Sequence, residues 1–172
     1  MRTIFAAVLL VGLSAPLPAH AEFVAHARDF PCLTKGQQPA GKHFYVFDHS
    51  RRKLKKAVAM SESGDLGPKG YPVGTILQLV PFEAMVKRGG KFNPDGHGWE
   101  FFRLDNATGK SKIVQRGGAE VISMLSHGSC QTCHVNLAAA HDLVCEFVVG
   151  TSGIGLTDGL LDVLQKNDPR CK

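Results

Sequence analysis

Five consecutive residues in the last third of the chain carry the clearest chemical signal: Cys130-Gln131-Thr132-Cys133-His134. The spacing C-x-x-C-H is typical of the attachment site of a c-type haem. Thiols at this spacing form thioethers with the vinyl groups of one haem, and the histidine that follows is placed to reach the iron as an axial ligand. The motif therefore predicts one covalently bound haem c, held by Cys130 and Cys133, with His134 as the ligand of the iron.

Two other interpretations of this motif are a thioredoxin-like redox pair and half of a zinc site. A thioredoxin-like motif is expected at the start of a helix that follows a strand in a βαβ pattern, and the sequence shows no such pattern. A structural zinc site needs a second pair of ligands at a similar spacing, and the sequence contains none. The sequence therefore favours haem attachment over both alternatives.

The first 21 residues have the features of a secretory signal peptide. Met1-Arg2-Thr3 is a short basic segment, residues 4–13 are apolar, and residues 19–21 (Ala-His-Ala) form an A-x-A cleavage site. The apolar run is too short for a membrane span. We expect cleavage after residue 21, a single haem c domain over residues 22–172, and no membrane span. Because bacteria attach haem c in the periplasm, the periplasm is the expected location.

The formal net charge of +5 at pH 7 is mildly basic. No nucleic-acid partner is expected, because an exported haem protein does not meet nucleic acid. The basic residues are scattered except at residues 51–56 (Arg-Arg-Lys-Leu-Lys-Lys). Such a run is usually the solvated face of a strand or loop, and the alternative is a docking patch for an acidic redox partner.

The remaining cysteines predict one disulfide. The chain has five cysteines, and subtracting the pair on the haem leaves Cys32, Cys145 and Cys171. In an oxidising compartment the simplest arrangement is one disulfide and one free thiol. Cys145–Cys171 and Cys32–Cys171 are both compatible with the sequence, and either would tie down the C-terminal tail.

The pattern of predicted elements is rich in strands. Strands are predicted at residues 43–49, 55–60, 74–80, 99–104, 112–116 and 143–149, and short helices at residues 119–125 and 137–141. Trp99 and Phe101 are expected on one face of their strand. The predicted fold class is therefore mainly β (α+β), with short helices around the haem motif. An ordinary helical cytochrome c, by contrast, carries C-x-x-C-H near its N-terminus.

Three further segments resemble the cytochrome P-460 family, which includes the cytochromes c′-beta. Residues 99–102 (Trp-Glu-Phe-Phe) resemble the family's W-x-F-F strand, residues 142–144 (Asp-Leu-Val) its D-x-V segment, and residues 83–87 (Glu-Ala-Met-Val-Lys) an E-A-x-V-K segment. The resemblance covers roughly residues 74–149, including the haem motif. It implies an exported antiparallel β-sheet protein with one haem c near its C-terminus, and a homodimer as its assembly.

The resemblance also implies an iron with His134 as the proximal ligand and with its other side open to small molecules. Glu83 is by resemblance the catalytic proton acceptor of the hydroxylamine-oxidising members. Those members also carry a lysine cross-linked to the porphyrin, at a position where this chain has Leu79; other candidates for such a link are Lys53, Lys55, Lys56 and Lys69. Members of the c′-beta type lack the link and bind nitric oxide or carbon monoxide.

The expected function is therefore binding of a small ligand such as nitric oxide, or oxidation of a small nitrogen compound with electrons passing to a partner cytochrome. The alternative is electron transfer by a six-coordinate haem, in which a methionine or histidine shares the iron with His134. The candidates for that ligand are Met60, Met85, Met124, His97, His127 and His141. Six phenylalanines are candidates for the walls of a haem pocket: Phe44, Phe47, Phe82, Phe92, Phe101 and Phe102.

Overall fold

The computed structural model describes residues 22–89, 91–150 and 155–172, and the predicted signal peptide lies outside these residues. Five strands form one antiparallel sheet in chain order: β1 Tyr45–Phe47, β2 Ile76–Gln78, β3 Glu83–Lys87, β4 Trp99–Asp105 and β5 Lys112–Gly117. The helices of the described residues are α1 Arg51–Ser63, α2 Cys130–Ala138, α3 Glu146–Val149 and α4 Asp158–Lys166. The predicted class, an antiparallel sheet with short helices, is confirmed.

Both faces of the sheet are buried along β2, β3 and β4, whereas the residues of the edge strand β5 are exposed or half-buried. Side chains alternate along each strand, so neighbouring residues contribute to opposite faces. Trp99 and Phe101 share one face, as predicted, and pack in the same core cluster as the first residue of α2, Cys130. Phe102 and Leu104 lie on the other face, which the N-terminal arm covers with residues such as Phe30. The face that carries Trp99 and Phe101 is therefore the one that meets the haem motif.

The prediction of a strand at residues 55–60 is wrong, because these residues belong to helix α1. The Ser50 hydroxyl caps the helix by accepting a hydrogen bond from Lys53 N at 3.5 Å. Gly64 ends it in the left-handed conformation, with φ of 72°. The buried positions have the spacing of a helix rather than the alternation of a strand: Ala57, Val58, Met60 and Ser61. The basic run at residues 51–56 therefore belongs to the first turns of this helix.

Two other predictions around the haem motif are wrong. Residues 119–125 do not form a helix, because the Ser123 hydroxyl accepts hydrogen bonds from the backbone N–H groups of Leu125 and Ser126 and holds the chain in a turn. Residues 143–149 do not form a strand, because Leu143 has φ of 65° and α3 follows. Strand β3 and helix α4 were not predicted. The predicted helix at residues 137–141 is present as the end of α2 and a 3-10 turn.

The two ends of the described chain are joined by the disulfide Cys32–Cys171, whose Cα atoms lie 4.9 Å apart. This pair is one of the two that the sequence allowed, and Cys145 stays a free thiol. Asp168 is buried beside the disulfide, where it accepts hydrogen bonds from Leu33 N at 3.0 Å and from Arg170 at 2.8 Å. The C-terminal turn and the N-terminal arm are therefore one packed unit. No helix in the described ranges has the length and apolar character that a membrane crossing requires.

Candidate functional site

Helix α2 begins at the first cysteine of the haem motif. The Ser129 hydroxyl caps it by accepting a hydrogen bond from Thr132 N at 3.2 Å. Residues at spacings of three and four lie on the same side of a helix. Cys130, Cys133 and His134 therefore share one side of α2, and both Cys130 and His134 line a cavity.

The cavity lies between the sheet, α2 and the segment that leads into α3. It encloses a volume of about 130 Å³, which is smaller than the roughly 300–1,000 Å³ of typical small-molecule and cofactor pockets. Its walls are mostly apolar, and three of the six predicted phenylalanines are among them: Phe44, Phe101 and Phe102. The apolar lining beside Cys130 and His134 matches the chemical character of an apolar group attached through the motif.

The imidazole of His134 is oriented by a single short contact. Its Nδ1 lies 2.6 Å from the carbonyl oxygen of Leu143, so Nδ1 carries the proton and donates it to that oxygen. Burial lowers the pKa of His134, which keeps the ring neutral. The ring also packs against Phe101, with 5.2 Å between the ring centroids. Nε2 is thereby left with a free lone pair, which is the state in which a histidine ligates a metal.

The Leu143 carbonyl is aimed at His134 by an unusual stretch of backbone. Asp142 and Leu143 both have positive φ, 47° and 65°, although neither is glycine. The Asp142 carboxylate holds this stretch in place, because it accepts hydrogen bonds from Lys87 Nζ at 2.6 and 2.9 Å and from Tyr71 N at 2.8 Å. Strain of this kind persists only where the surrounding structure fixes it.

The three segments that resemble the cytochrome P-460 family meet at this ion pair. Lys87 ends β3, Trp99 begins β4 and Asp142 precedes the carbonyl that binds His134. Lys87 Nζ lies 5.0 Å from the centroid of the Trp99 ring, a cation–π distance. Burial lowers the pKa of Lys87, and the charge of Asp142 opposes that shift. The ion pair thus connects the sheet to the histidine of the haem motif.

Glu83, the predicted proton acceptor, also lines the cavity. Its carboxylate accepts hydrogen bonds from Ser123 Oγ at 3.0 Å and from Met124 N at 2.6 Å. Burial raises the pKa of Glu83, and these hydrogen bonds oppose the shift. The geometry brings Glu83 and His134 to one cavity; the catalytic role of Glu83 stays a prediction.

Leu79 lines the cavity at the position where the resemblance places a cross-linked lysine. Lys53 donates to the carbonyl of Val73 at 2.7 Å instead. The other candidates, Lys55, Lys56 and Lys69, are exposed. Within the described ranges, no lysine lines the cavity.

Of the candidates for a sixth iron ligand, Met85 is the one that lines the cavity within the described part of the chain. Met60 belongs to α1 and is buried in the core on the inner side of this helix. Met124 and His127 are exposed. His97 lies near the Asp142 carboxylate, at 3.7 Å, and His141 stacks on Phe147.

The motif does not form a zinc site in the described residues. Among them, the ligand atoms of three histidine, cysteine or acidic residues come together only at Cys32, Asp168 and Cys171. The sulfur atoms of that group are already joined in a disulfide. The donor atoms of the haem motif therefore lack the partners that a structural zinc ion requires.

Cys145 and Glu146 line the cavity and were not predicted as site residues. Burial raises the pKa of the Cys145 thiol to about 12, so this thiol stays protonated at neutral pH. The sequence predicts Cys145 either as a disulfide partner of Cys171 or as the free thiol. Glu146 gave no signal, because its place depends on the left-handed backbone at Asp142 and Leu143.

Comparison with known proteins gave no match: no family model, no curated protein and no solved structure matches this chain. The chemistry of the site therefore has to be inferred from its own side chains.

Proposed function

We propose that this chain is an exported, periplasmic mono-haem c-type cytochrome of the cytochrome P-460 type, whose cavity admits a small ligand to the iron. Cys130 and Cys133 would hold the haem and His134 would ligate the iron. The haem would supply a metal centre that binds a small molecule and exchanges one electron. The protein side chains orient the histidine, exclude water and move protons.

The environment of His134 carries this proposal. Histidines that ligate a metal almost always donate their other ring N–H to a carbonyl or carboxylate, which fixes the ring and its tautomer. His134 does so at 2.6 Å, on the same helix face as Cys130 and Cys133. A neutral, half-buried imidazole beside an apolar cavity is also the chemical state that iron ligation needs.

The cavity walls favour a small uncharged ligand such as nitric oxide or carbon monoxide. Leu79 occupies the position of the lysine of the hydroxylamine-oxidising members, so we favour ligand binding over oxidation. Where a small nitrogen compound is oxidised instead, Glu83 would accept its proton, and a partner cytochrome would take the electrons. The basic first turns of α1 are a candidate surface for that partner.

An absorption spectrum of the matured protein tests the proposal. We expect a covalent haem c, a high-spin spectrum in both oxidation states, and a clear shift when nitric oxide or carbon monoxide is added. The Cys130→Ser and Cys133→Ser variants should each lose one thioether, which a pyridine haemochrome spectrum detects. A purified protein without covalent haem would refute the proposal.

A six-coordinate electron-transfer cytochrome is the second candidate, because Met85 lines the cavity. In that case the spectrum is sharp and low-spin and does not respond to either gas. The Met85→Leu variant would then become high-spin and bind both gases. Met124→Leu is the matched control, since Met124 is 52% exposed and lies outside the cavity.

A further inference from the structure

Glu146 forms part of the wall between the cavity and a cleft on the surface. It lines both hollows, together with Gly150, whereas His43 and Asp158 line only the outer cleft. The Glu146 side chain is 9% exposed, although it is a carboxylate in a mostly apolar wall. Buried carboxylate oxygens normally have hydrogen-bond partners, so a carboxylate oxygen of Glu146 without one would indicate a function.

The two carboxylate oxygens of Glu146 have different surroundings. Oε1 accepts a hydrogen bond from His43 N at 2.9 Å and lies 3.1 Å from His43 Nδ1. Oε2 is buried and has no hydrogen-bond partner among the described residues. One oxygen thus contacts a histidine at the outer cleft, and the other is available to a group that arrives from the cavity.

The contacts continue from His43 to the surface. The second ring nitrogen, Nε2, lies 3.8 Å from Asp158 Oδ1. Side-chain exposure rises along the series, from 9% for Glu146 through 39% for His43 to 75% for Asp158. An imidazole between a buried carboxylate and an exposed one is the usual arrangement for passing a proton between two environments.

We propose that Glu146 and His43 form a proton path between the cavity and the outer cleft. This inference rests on the proposed function, because a ligand at the iron is the source of the proton. Neither residue belongs to the haem motif or to the segments that resemble the cytochrome P-460 family. His43 and Glu146 are 103 residues apart in the sequence.

The transfer moves one proton and no electrons. Glu146 accepts a proton from the ligand on Oε2, and a half-turn of its carboxyl group brings that oxygen to His43. At the start Nδ1 of His43 carries the ring proton and donates it to Oε1, because a carboxylate only accepts. Once Glu146 is protonated, exchange with water moves the ring proton to Nε2, and Nδ1 takes the proton of Glu146 while Nε2 releases its own proton to Asp158 or to water. Glu146 is then a carboxylate again, and His43 has returned to its starting tautomer.

Among the other titratable groups, Glu83 is a second carboxylate that lines the cavity, whereas Tyr71 and Cys145 do not compete for this proton. Burial raises the pKa of Tyr71 to about 12, and that of Cys145 also to about 12, so both stay protonated at neutral pH. Lys42 lines the outer cleft and packs over the Phe147 ring at 4.5 Å.

Binding of cyanide to the oxidised, haem-loaded protein tests the path. Hydrogen cyanide is the dominant species at neutral pH and must lose its proton when it binds as an anion. We expect Glu146→Gln and His43→Ala to lower the association rate by about 10-fold or more, because positioned acid–base groups contribute about 10²–10⁴-fold. Added 2,6-lutidine, a base too hindered to ligate the iron, should raise the rate of His43→Ala but not that of Glu146→Gln.

His49→Ala is the matched control, because His49 is also a partly exposed histidine beside a carboxylate, Asp29 at 3.2 Å, and lies outside both hollows. Its rate should equal that of the wild type. Wild-type rates in both Glu146→Gln and His43→Ala would overturn the path alone. A wild-type protein that holds no haem, or whose spectrum ignores cyanide, would overturn the proposed function and the path with it.

Discussion

The buried ion pair between Lys87 and Asp142 gives the sharpest test of how the site is held together. Both side chains are only 8% exposed. Replacing Lys87 with methionine keeps most of the apolar stem against Trp99 but removes the charge. Asp142 is then left as a buried carboxylate that retains the hydrogen bond from Tyr71 N.

Removing one partner of a buried ion pair typically costs about 3–5 kcal/mol, because the other charge stays desolvated. With an m-value of about 2 kcal/mol/M, Lys87→Met should lower the urea midpoint of unfolding by roughly 2 M. Lys166→Met is the matched control: Lys166 pairs with Asp162, but these side chains are 76% and 58% exposed, so the loss should stay below about 1 kcal/mol.

The double variant Lys87→Met/Asp142→Asn separates charge from packing. Because the buried charge is removed together with its partner, the double variant should be more stable than the sum of the single losses predicts. Equilibrium urea unfolding followed by circular dichroism measures the wild type, Lys87→Met, Asp142→Asn, the double variant and the control Lys166→Met. A loss of less than about 1 kcal/mol in Lys87→Met would refute the view that this pair fixes the turn beside His134.

Three further predictions concern other parts of the fold. Cys171→Ser should lower the free energy of unfolding by about 2–5 kcal/mol. A reductant should cause the same loss in the wild type and no further loss in the variant, and equal stabilities of wild type and variant without reductant would contradict the prediction. Burial alone would raise the pKa of Asp168, but hydrogen bonds from Arg170 and Leu33 N hold this pKa below 3.8. The carboxyl group of Asp168 therefore has a lower pKa in the folded state than in the unfolded state. Its contribution should therefore be present above about pH 4 and be lost as the pH falls through the folded-state pKa, and a stability–pH curve of Asp168→Asn with the wild-type slope below pH 4 would argue against it. Burial raises the pKa of Glu83 above 4.5, so wild-type stability should fall as the pH rises from about 4.5 to the folded-state pKa; Glu83→Gln should flatten that segment of the curve, and an unchanged slope would show that Glu83 titrates normally.

Strand β4 could be predicted from its run of aromatic residues. Trp99 and Phe101 pack on one buried face of the sheet and Phe102 packs on the other. Strand β3 has the same burial but was missed because of its charged ends. Both of its faces are buried, and its ends are charged residues whose partners lie elsewhere: Glu83 with the turn at Ser123, and Lys87 with Asp142. A charged side chain in a strand normally indicates a solvent-exposed position. That Glu83 and Lys87 are bound by distant residues instead is visible only in the folded structure.

Helix α1 was missed because its first turns are almost entirely basic. The residues that it buries are concentrated in its second half, where a short apolar run resembles a strand as much as a helix. The cap at Ser50 and the glycine at residue 64 are the local features that mark its ends.

The candidate site divides in the same way. The haem motif spans five residues, so its chemistry is visible locally. The carbonyl that orients His134 depends on left-handed backbone at Asp142 and Leu143, which residue type does not predict. The contact between His43 and Glu146 joins positions 103 residues apart, and no local pattern announces such a pair.

The disulfide between Cys32 and Cys171 closes a covalent loop over a sequence separation of 139. All five strands and the haem motif lie inside this loop. A single proteolytic cut in the exposed turn at residues 107–110 would therefore yield fragments that remain attached to each other. One fragment would carry Glu83 and most of the sheet, and the other His134. Their tether would keep the halves of the cavity at a high effective concentration, so a nicked molecule would migrate as one species until it is reduced.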